Sequence, residues 1–210
     1  MNILVSSPHA MCLPGKKRMC DIAASTAARA FFDAVEAAGM KCTYIEGNEL
    51  RHNHDLNRKP SRSTLFRKAL TSMMKKAKDR VPCVQCPAGL ILVDVHSFPN
   101  YWMEEAGDIN FFKPGEVPPE IVILQGPMDG FGGMSLTSTL YDSLGEHKVR
   151  VKIVRGITVN DIMNEASDSM IPAVLLEFNE GLLEEPRRLA FICSIVSLSL
   201  LRASRVARTY

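Results

Sequence analysis

The sequence predicts an α/β protein of three layers, with helices on both faces of a mainly parallel, mixed central sheet. Short apolar runs alternate with stretches of helical spacing along most of the chain, as in successive βαβ units. The run Leu90 to Val95 is almost wholly apolar, which is typical of a strand covered on both faces. The 210 residues contain no internal repeat, low-complexity tract or evident linker, so we expect one domain over 1–210.

The individual elements follow from apolar runs, caps and stop signals. The predicted strands are 2–6, 41–45, 90–95, 121–124, 149–154 and 173–178. The predicted helices are 21–38, 63–80, 136–144, 159–167 and 184–207. Gly39 ends the first helix, and Thr158 is the predicted N-cap of the fourth. The glycine-rich segment 126–133 predicts a flexible loop, which we interpret as a mobile wall of a substrate cleft.

Composition and charge exclude several classes of function. The chain is 46% hydrophobic and 23% charged, as in ordinary soluble proteins. Its 25 basic and 23 acidic residues give a net charge of +2, which argues against a nucleic-acid-binding protein. The N-terminal residues lack the parts of a signal peptide, and the longest apolar stretch, 189–201, is too short to span a bilayer. We therefore expect a cytoplasmic protein without membrane or nucleic-acid partners.

The six cysteines are expected to be reduced in that compartment. Cys83 and Cys86 form the one tight pair, just before a predicted strand. We interpret the pair as part of an inert loop, with half of a structural metal site or a redox motif as alternatives.

Polar side chains collect where the predicted strands end. In an open α/β sheet, ligands bind beyond the carboxyl ends of the strands. The residues at these positions are His9, Asp21, Arg51, Asp55, Asn57, Arg58, His96 and Glu177. If the strands are parallel neighbours, all of these side chains meet at one edge of the sheet.

This set of residue types predicts a catalytic zinc site. Two histidines and one carboxylate are a common set of zinc ligands, so we expect His9, Asp21 and His96 to bind the metal. Glu177 has the chemistry of the general base that accepts a proton from activated water. Asp94, two residues before His96, is expected to orient an imidazole from behind.

The two arginines suit the substrate. Arg51 is the candidate for stabilising an oxyanion. Arg58, with Asn57, is suited to holding a substrate carboxylate. Asp55 lies between them in sequence and is expected to order this pair of arginines.

Five motifs resemble known families of amide hydrolase. Asp94-Val-His96-Ser97 is similar to the Asp-x-His-Ser element of zinc carboxypeptidases, whose histidine is the last metal ligand. The segment 51–58 resembles the arginine and Asp-x-Asn-Arg elements of those enzymes and of N-formylglutamate amidohydrolases. Pro8-His9 resembles the opening of the latter family, and 174–179 its late strand with the catalytic glutamate. Asp21-Ile-Ala-Ala resembles the first helix of zinc N-acetylmuramoyl-alanine amidases, where a glutamate ligand stands.

The resemblance implies a zinc-dependent amidohydrolase acting on a small N-acyl amino acid or short peptide that carries a carboxylate. A muramoyl-alanine amidase or a carboxypeptidase-like peptidase is the enzymatic alternative, and an inactive assembly domain that keeps the fold is the alternative of another class. Carboxypeptidases place the carboxylate ligand three residues after the first histidine, where this chain has Cys12. Asp21 is the preferred middle ligand, and Cys12 as a thiolate is the alternative.

Overall fold

A computed structural model describes residues 2–11, 20–51, 53, 55–79, 89–103, 110–131, 134–155 and 160–206. The strands are β1 (Asn2–Ser7), β2 (Lys41–Glu46), β3 (Leu90–Phe98), β4 (Ile121–Gln125), β5 (Gly130–Phe131), β6 (Met134–Ser135), β7 (Val151–Val154) and β8 (Ala173–Asn179). The α-helices are α1 (Ala24–Ala37), α2 (Leu65–Asp79), α3 (Leu136–Glu146), α4 (Asp161–Asp168) and α5 (Pro186–Val206). Short 3₁₀ turns cover Lys59–Ser63 and Glu180–Glu184. Within the described part of the chain, no helix combines the length and apolar character required to cross a bilayer.

The main sheet has six strands in the order β2-β1-β3-β8-β4-β7. The first four strands of this order are mutually parallel. β4 runs antiparallel to β8, and β7 is parallel to β4. The predicted three-layer α/β class with a mainly parallel, mixed sheet is therefore confirmed.

Alternate residues of each central strand enter two separate cores, as the period of two requires. Ile91, Val93 and Val95 of β3 pack on the face covered by α1, α3 and α5. Leu90 and Leu92 pack on the opposite face, where α2 and α4 lie. All nine residues of β3 are buried, in keeping with its nearly unbroken apolar sequence.

The order of the first three strands creates a crevice. The chain leaves β1, forms α1 on one face, and returns as β2 at the edge. It then forms α2 on the other face and crosses β1 to become β3. Ligands bind at such switch points, at the carboxyl ends of the strands. The switch point here lies between β1 and β3, with His9 in the turn after β1 and His96 near the end of β3.

The described part of the loop 126–133, residues 126–131, does not line this crevice, and the expectation that the loop forms a wall of the cleft is wrong for these residues. Because β4 is antiparallel to β8, its carboxyl end lies at the opposite edge of the sheet, where Gln125 pairs with Val174. The main-chain N–H of Ala173 donates to Met128 O at 3.0 Å, which fixes the loop there. The described part of this segment also forms the short β5–β6 hairpin.

Two smaller expectations are also corrected. The N-cap of α4 is Asn160, whose side chain accepts from Ile162 N and Met163 N. The predicted cap, Thr158, lies outside the described residues. Cys20 is disulfide-bonded, whereas Cys42 and Cys193 are free thiols, so the cysteines are not all reduced in this structure. Cys83 and Cys86 lie outside the described residues as well.

Candidate metal centre

Three of the predicted ligands converge at the switch point. His9 lies in the turn after β1, His96 lies near the end of β3, and Asp21 lies just ahead of α1. All three side chains are buried, and one potential ligand atom from each lies within 4.8 Å of the others. The main-chain N–H of Asp21 donates to His9 O at 3.1 Å, so the loop from β1 returns directly to its own histidine. Distant parts of the chain thus present two imidazoles and a carboxylate to one point.

Both imidazoles are oriented in the same way. Nδ1 of His96 is 2.6 Å from Asp21 Oδ2, and Nδ1 of His9 is 3.5 Å from the same oxygen. Nε2 of His9 contacts Asp55 Oδ1 at 2.9 Å, and Nε2 of His96 contacts Asp94 Oδ2 at 3.1 Å. Each ring therefore turns Nδ1 towards Asp21 and Nε2 towards a second carboxylate behind it. A carboxylate behind the imidazole is the usual arrangement of a metal-bound histidine.

One buried nitrogen in this group lacks a partner. His9 Nδ1 is buried and makes no hydrogen bond within the described part of the chain. A neutral ring that donates from Nε2 to Asp55 presents a lone pair at Nδ1. A buried polar atom without a partner is costly in a native structure. A divalent cation that accepts this lone pair would remove that cost, and nitrogen and oxygen donors suit zinc.

The charges in this cluster favour a positive group at its centre. Burial opposes the ionisation of Asp21, but the nearby rings of His9 and His96 outweigh it and hold its pKa well below the usual range. Burial likewise opposes a charged His96, yet Asp94 and Asp21 raise its pKa well above 6.5. The surrounding carboxylates thus favour a positive charge at this point.

Glu177 lies on β8 directly beside His96, with which it is in register. Its side chain is partly exposed, unlike the ligand side chains. Desolvation raises the pKa of Glu177 to about 8, against the opposing charge of His96 and with a further increase from Asp21. A carboxyl group that holds its proton near neutral pH is suited to proton transfer.

The two arginines lie at different depths. Arg51 Nη1 is 3.6 Å from Asp21 Oδ1, and its Nε is 3.9 Å from Asp55 Oδ2. Arg58 contacts the same oxygen, Asp55 Oδ2, with its Nε at 3.4 Å. Arg51 therefore lies nearer to Asp21 than Arg58 does, and Arg58 is the more exposed of the two guanidiniums.

Asn57 packs against His96 of this group. Its Nδ2 is 3.3 Å from His96 Nε2, and its main-chain N–H donates to Asp55 Oδ1 at 3.1 Å. Its Oδ1 is buried and has no hydrogen-bond partner among the described residues. A half rotation of the amide exchanges its oxygen and nitrogen and allows the oxygen to accept from His96 Nε2.

Sequence reasoning missed the residues that support the ligands. Ser6 Oγ donates to Asp94 Oδ1 at 2.6 Å, and Asn160 Nδ2 donates to Asp94 Oδ2 at 3.0 Å. Ser97 Oγ accepts from Ala23 N at 3.1 Å and so attaches the start of α1 to β3. The available signal was Asn160, a favoured N-cap residue two positions ahead of the apolar pair Ile162-Met163. Cys12, the alternative ligand, lies outside the described residues.

Comparison with known proteins gives similarity in structure but not in sequence. No family model and no curated protein matches the chain. The gene product Atu2144 from Agrobacterium tumefaciens is similar with a TM-score of 0.66 and 14% identity, over 97% of this chain and 90% of that one. The N-formylglutamate amidohydrolase from Ralstonia eutropha JMP134 gives 0.59 and 16%, over 99% and 95%. The N-acetylmuramoyl-L-alanine amidase from Clostridium difficile 630 gives 0.50 and 13%, over 97% and 94%. At these identities the likeness establishes the fold alone, and the chain has the α/β fold of the amidohydrolases that its motifs resemble.

Proposed function

We propose that this chain is a zinc-dependent amidohydrolase. Its substrate is a small N-acyl amino acid of the N-formylglutamate type or a short peptide with a carboxylate. The observation that carries the proposal is the paired arrangement of His9 and His96, each with Nδ1 towards Asp21 and Nε2 towards a carboxylate. The shared fold with an N-formylglutamate amidohydrolase supports the reaction class.

His9, Asp21 and His96 would hold the metal, which leaves a fourth position open for water or substrate. When bound, zinc supplies the Lewis acidity that makes water nucleophilic near neutral pH and polarises the amide carbonyl. A cation at this place would also lower the pKa of Glu177 and favour its carboxylate form. Glu177 then accepts the proton of the attacking water on a carboxylate oxygen and delivers it to the leaving nitrogen.

The two arginines would contact different groups of the substrate. Arg51, close to Asp21, is placed to stabilise the negative charge that develops on the carbonyl oxygen. Arg58, the more exposed of the two and next to Asn57, is placed to bind a carboxylate of the substrate. An amino acid acylated at nitrogen offers both groups, a scissile amide and a carboxylate a few bonds away.

Metal content is the first test. We expect the purified protein to hold about one zinc per chain, as a catalytic site does, and to lose amide hydrolysis when zinc is chelated. His9→Ala should abolish the bound zinc. His147→Ala is the matched control, because His147 is exposed at the C-terminal end of α3 and contacts Ser143 O instead of the candidate centre.

Substrate assays separate the enzymatic candidates. Formyl-, acetyl- and aspartyl-type N-acyl amino acids test the main proposal, and a muramoyl dipeptide tests the amidase alternative. If the purified protein binds no zinc and chelators change none of its activities, the proposal is contradicted. That result would favour an assembly domain that keeps the fold.

A further inference from the structure

Asp94 is the fully buried carboxylate behind His96, and three side chains donate towards it. His96 Nε2 and Asn160 Nδ2 both contact Oδ2, at 3.1 Å and 3.0 Å. Ser6 Oγ donates to the other oxygen at 2.6 Å. The residue is 0% exposed, so these donors replace the solvent that would otherwise surround its charge.

The amide of Asn160 has one possible orientation. Its Oδ1 accepts from Ile162 N at 2.9 Å and Met163 N at 3.3 Å, which caps the first turn of α4. Main-chain N–H groups only donate, so the atom that faces them must be the oxygen. The NH₂ group is thereby directed at Asp94, and Asp94 can only accept from it.

The position of Asn160 is itself fixed from several directions. The next residue, Asp161, donates from its main-chain N–H to Asn57 O at 2.8 Å. Its carboxylate accepts from Arg67 Nη2 at 2.8 Å and from two nitrogens of Arg62, each at 2.7 Å. The first turn of α4 is therefore attached to α2 and to the segment that carries Asp55.

We infer that Asn160 is a positioning residue of the metal centre, acting on His96 through Asp94. Because Asn160 keeps Asp94 in place as an acceptor, Nε2 of His96 must carry the hydrogen and Nδ1 is left to face Asp21. The inference rests on the proposed function for the identity of the bound group. Outer partners of metal-bound histidines commonly change metal affinity by about 10- to 100-fold when they are removed.

Two substitutions separate this role from helix capping. Asn160→Asp and Asn160→Ser both keep an oxygen that can cap α4, but neither keeps the NH₂ group that reaches Asp94. We expect zinc affinity, measured by competition with a chromogenic chelator, to fall by about 10- to 100-fold in both variants. Ser135→Ala is the matched control, because Ser135 caps α3 at the edge of the sheet that carries loop 126–133. It should lower thermal stability and leave zinc affinity unchanged.

Crystal structures of the wild type and Asn160→Ser give a second readout that does not depend on zinc. We expect the Asp94 carboxylate or the His96 ring to rotate in the variant. Folded variants that bind zinc as tightly as the wild type would overturn it. If the wild type binds no zinc, the proposed function fails, and an unmoved Asp94 and His96 in the variant then overturn the inference as well.

Discussion

The four carboxyl groups of the candidate centre differ in what they contact, and their chemistry differs accordingly. Asp21 lies between two imidazoles, while Asp55 and Asp94 each lie behind one. Burial opposes the ionisation of all three, but their partners hold each pKa below the usual range. Glu177 has its pKa raised, because desolvation dominates there. One carboxyl group with a raised pKa thus lies beside three whose pKa values are lowered.

Glu177→Gln tests this separation directly. The amide is nearly isosteric but cannot take a proton, so we expect kcat for amide hydrolysis to fall by about 10²- to 10⁴-fold. Zinc content should stay at the wild-type level, because Glu177 is not among the proposed ligands. Parallel zinc analysis and kinetics check both points.

Glu184→Gln is the control, since Glu184 is exposed at the end of the 3₁₀ turn after β8. Its kinetics should match those of the wild type. Loss of bound zinc from Glu177→Gln would instead make Glu177 a ligand.

The histidines of the centre could be found from sequence because their positions depend on short-range patterns. His9 and His96 each accompany an apolar strand, and parallel strands bring their carboxyl ends to one edge. Asn160 could not be found in the same way. Its partner Asp94 is 66 residues away, and nothing local in the sequence records that contact.

At the scale of elements, the sequence locates strands better than it orients them. The apolar run Ile121–Leu124 fits a strand of either direction. The loop that follows it would lie at the cleft only if this strand were parallel to its neighbour in the sheet. β4 is antiparallel to β8, which moves that loop to the far edge. A parallel pair needs a long crossover, usually helical, and the sequence of 99–120 shows no helical repeat.

Gly47 directly follows β2 and packs closely against the backbone of Pro8, just before His9. We expect this close packing to position His9. A Cβ added at Gly47 would lie 2.1 Å from Pro8 O and 2.8 Å from Leu56 Cδ1. The backbone before His9 must therefore move in Gly47→Ala. We expect a loss of about 1–3 kcal/mol in the free energy of unfolding, as overpacking commonly costs, together with weaker zinc binding.

Gly145→Ala is the matched control in α3, because nothing lies within 4 Å of the added Cβ. Alanine restricts the unfolded chain more than glycine does, so this variant should gain about 0.5–1 kcal/mol. Urea denaturation and chelator competition measure both quantities. Equal zinc affinity in the two variants would show that the Pro8 contact does not position His9.

At the scale of the whole molecule, Arg67 joins segments that are far apart in sequence. Its side chain is 0% exposed and donates to Leu56 O, Asp161 and Glu165. It thereby connects α2 to α4 and to the segment that carries Asp55. Sequence alone did not reveal this role, because an arginine in a basic helix resembles its solvated neighbours until its acidic partners, 94 and 98 residues away, are in place.

Arg67→Met should destabilise the fold far more than Arg62→Met, although both arginines contact Asp161. Removing the Arg67 guanidinium leaves the carboxylates of Asp161 and Glu165 with less positive charge beside them. We expect the free energy of unfolding to fall by about 3–5 kcal/mol. The Arg62 side chain is 48% exposed, so its ion pair is screened by solvent and its removal should cost at most about 1 kcal/mol. Urea denaturation gives both values.

Since Asp161 adjoins Asn160, zinc affinity should also fall further in folded Arg67→Met than in Arg62→Met. Similar losses in the two variants would mean that α4 is held in place by its apolar contacts with β8 and α2, and that the buried ion pair contributes little to the position of the metal centre.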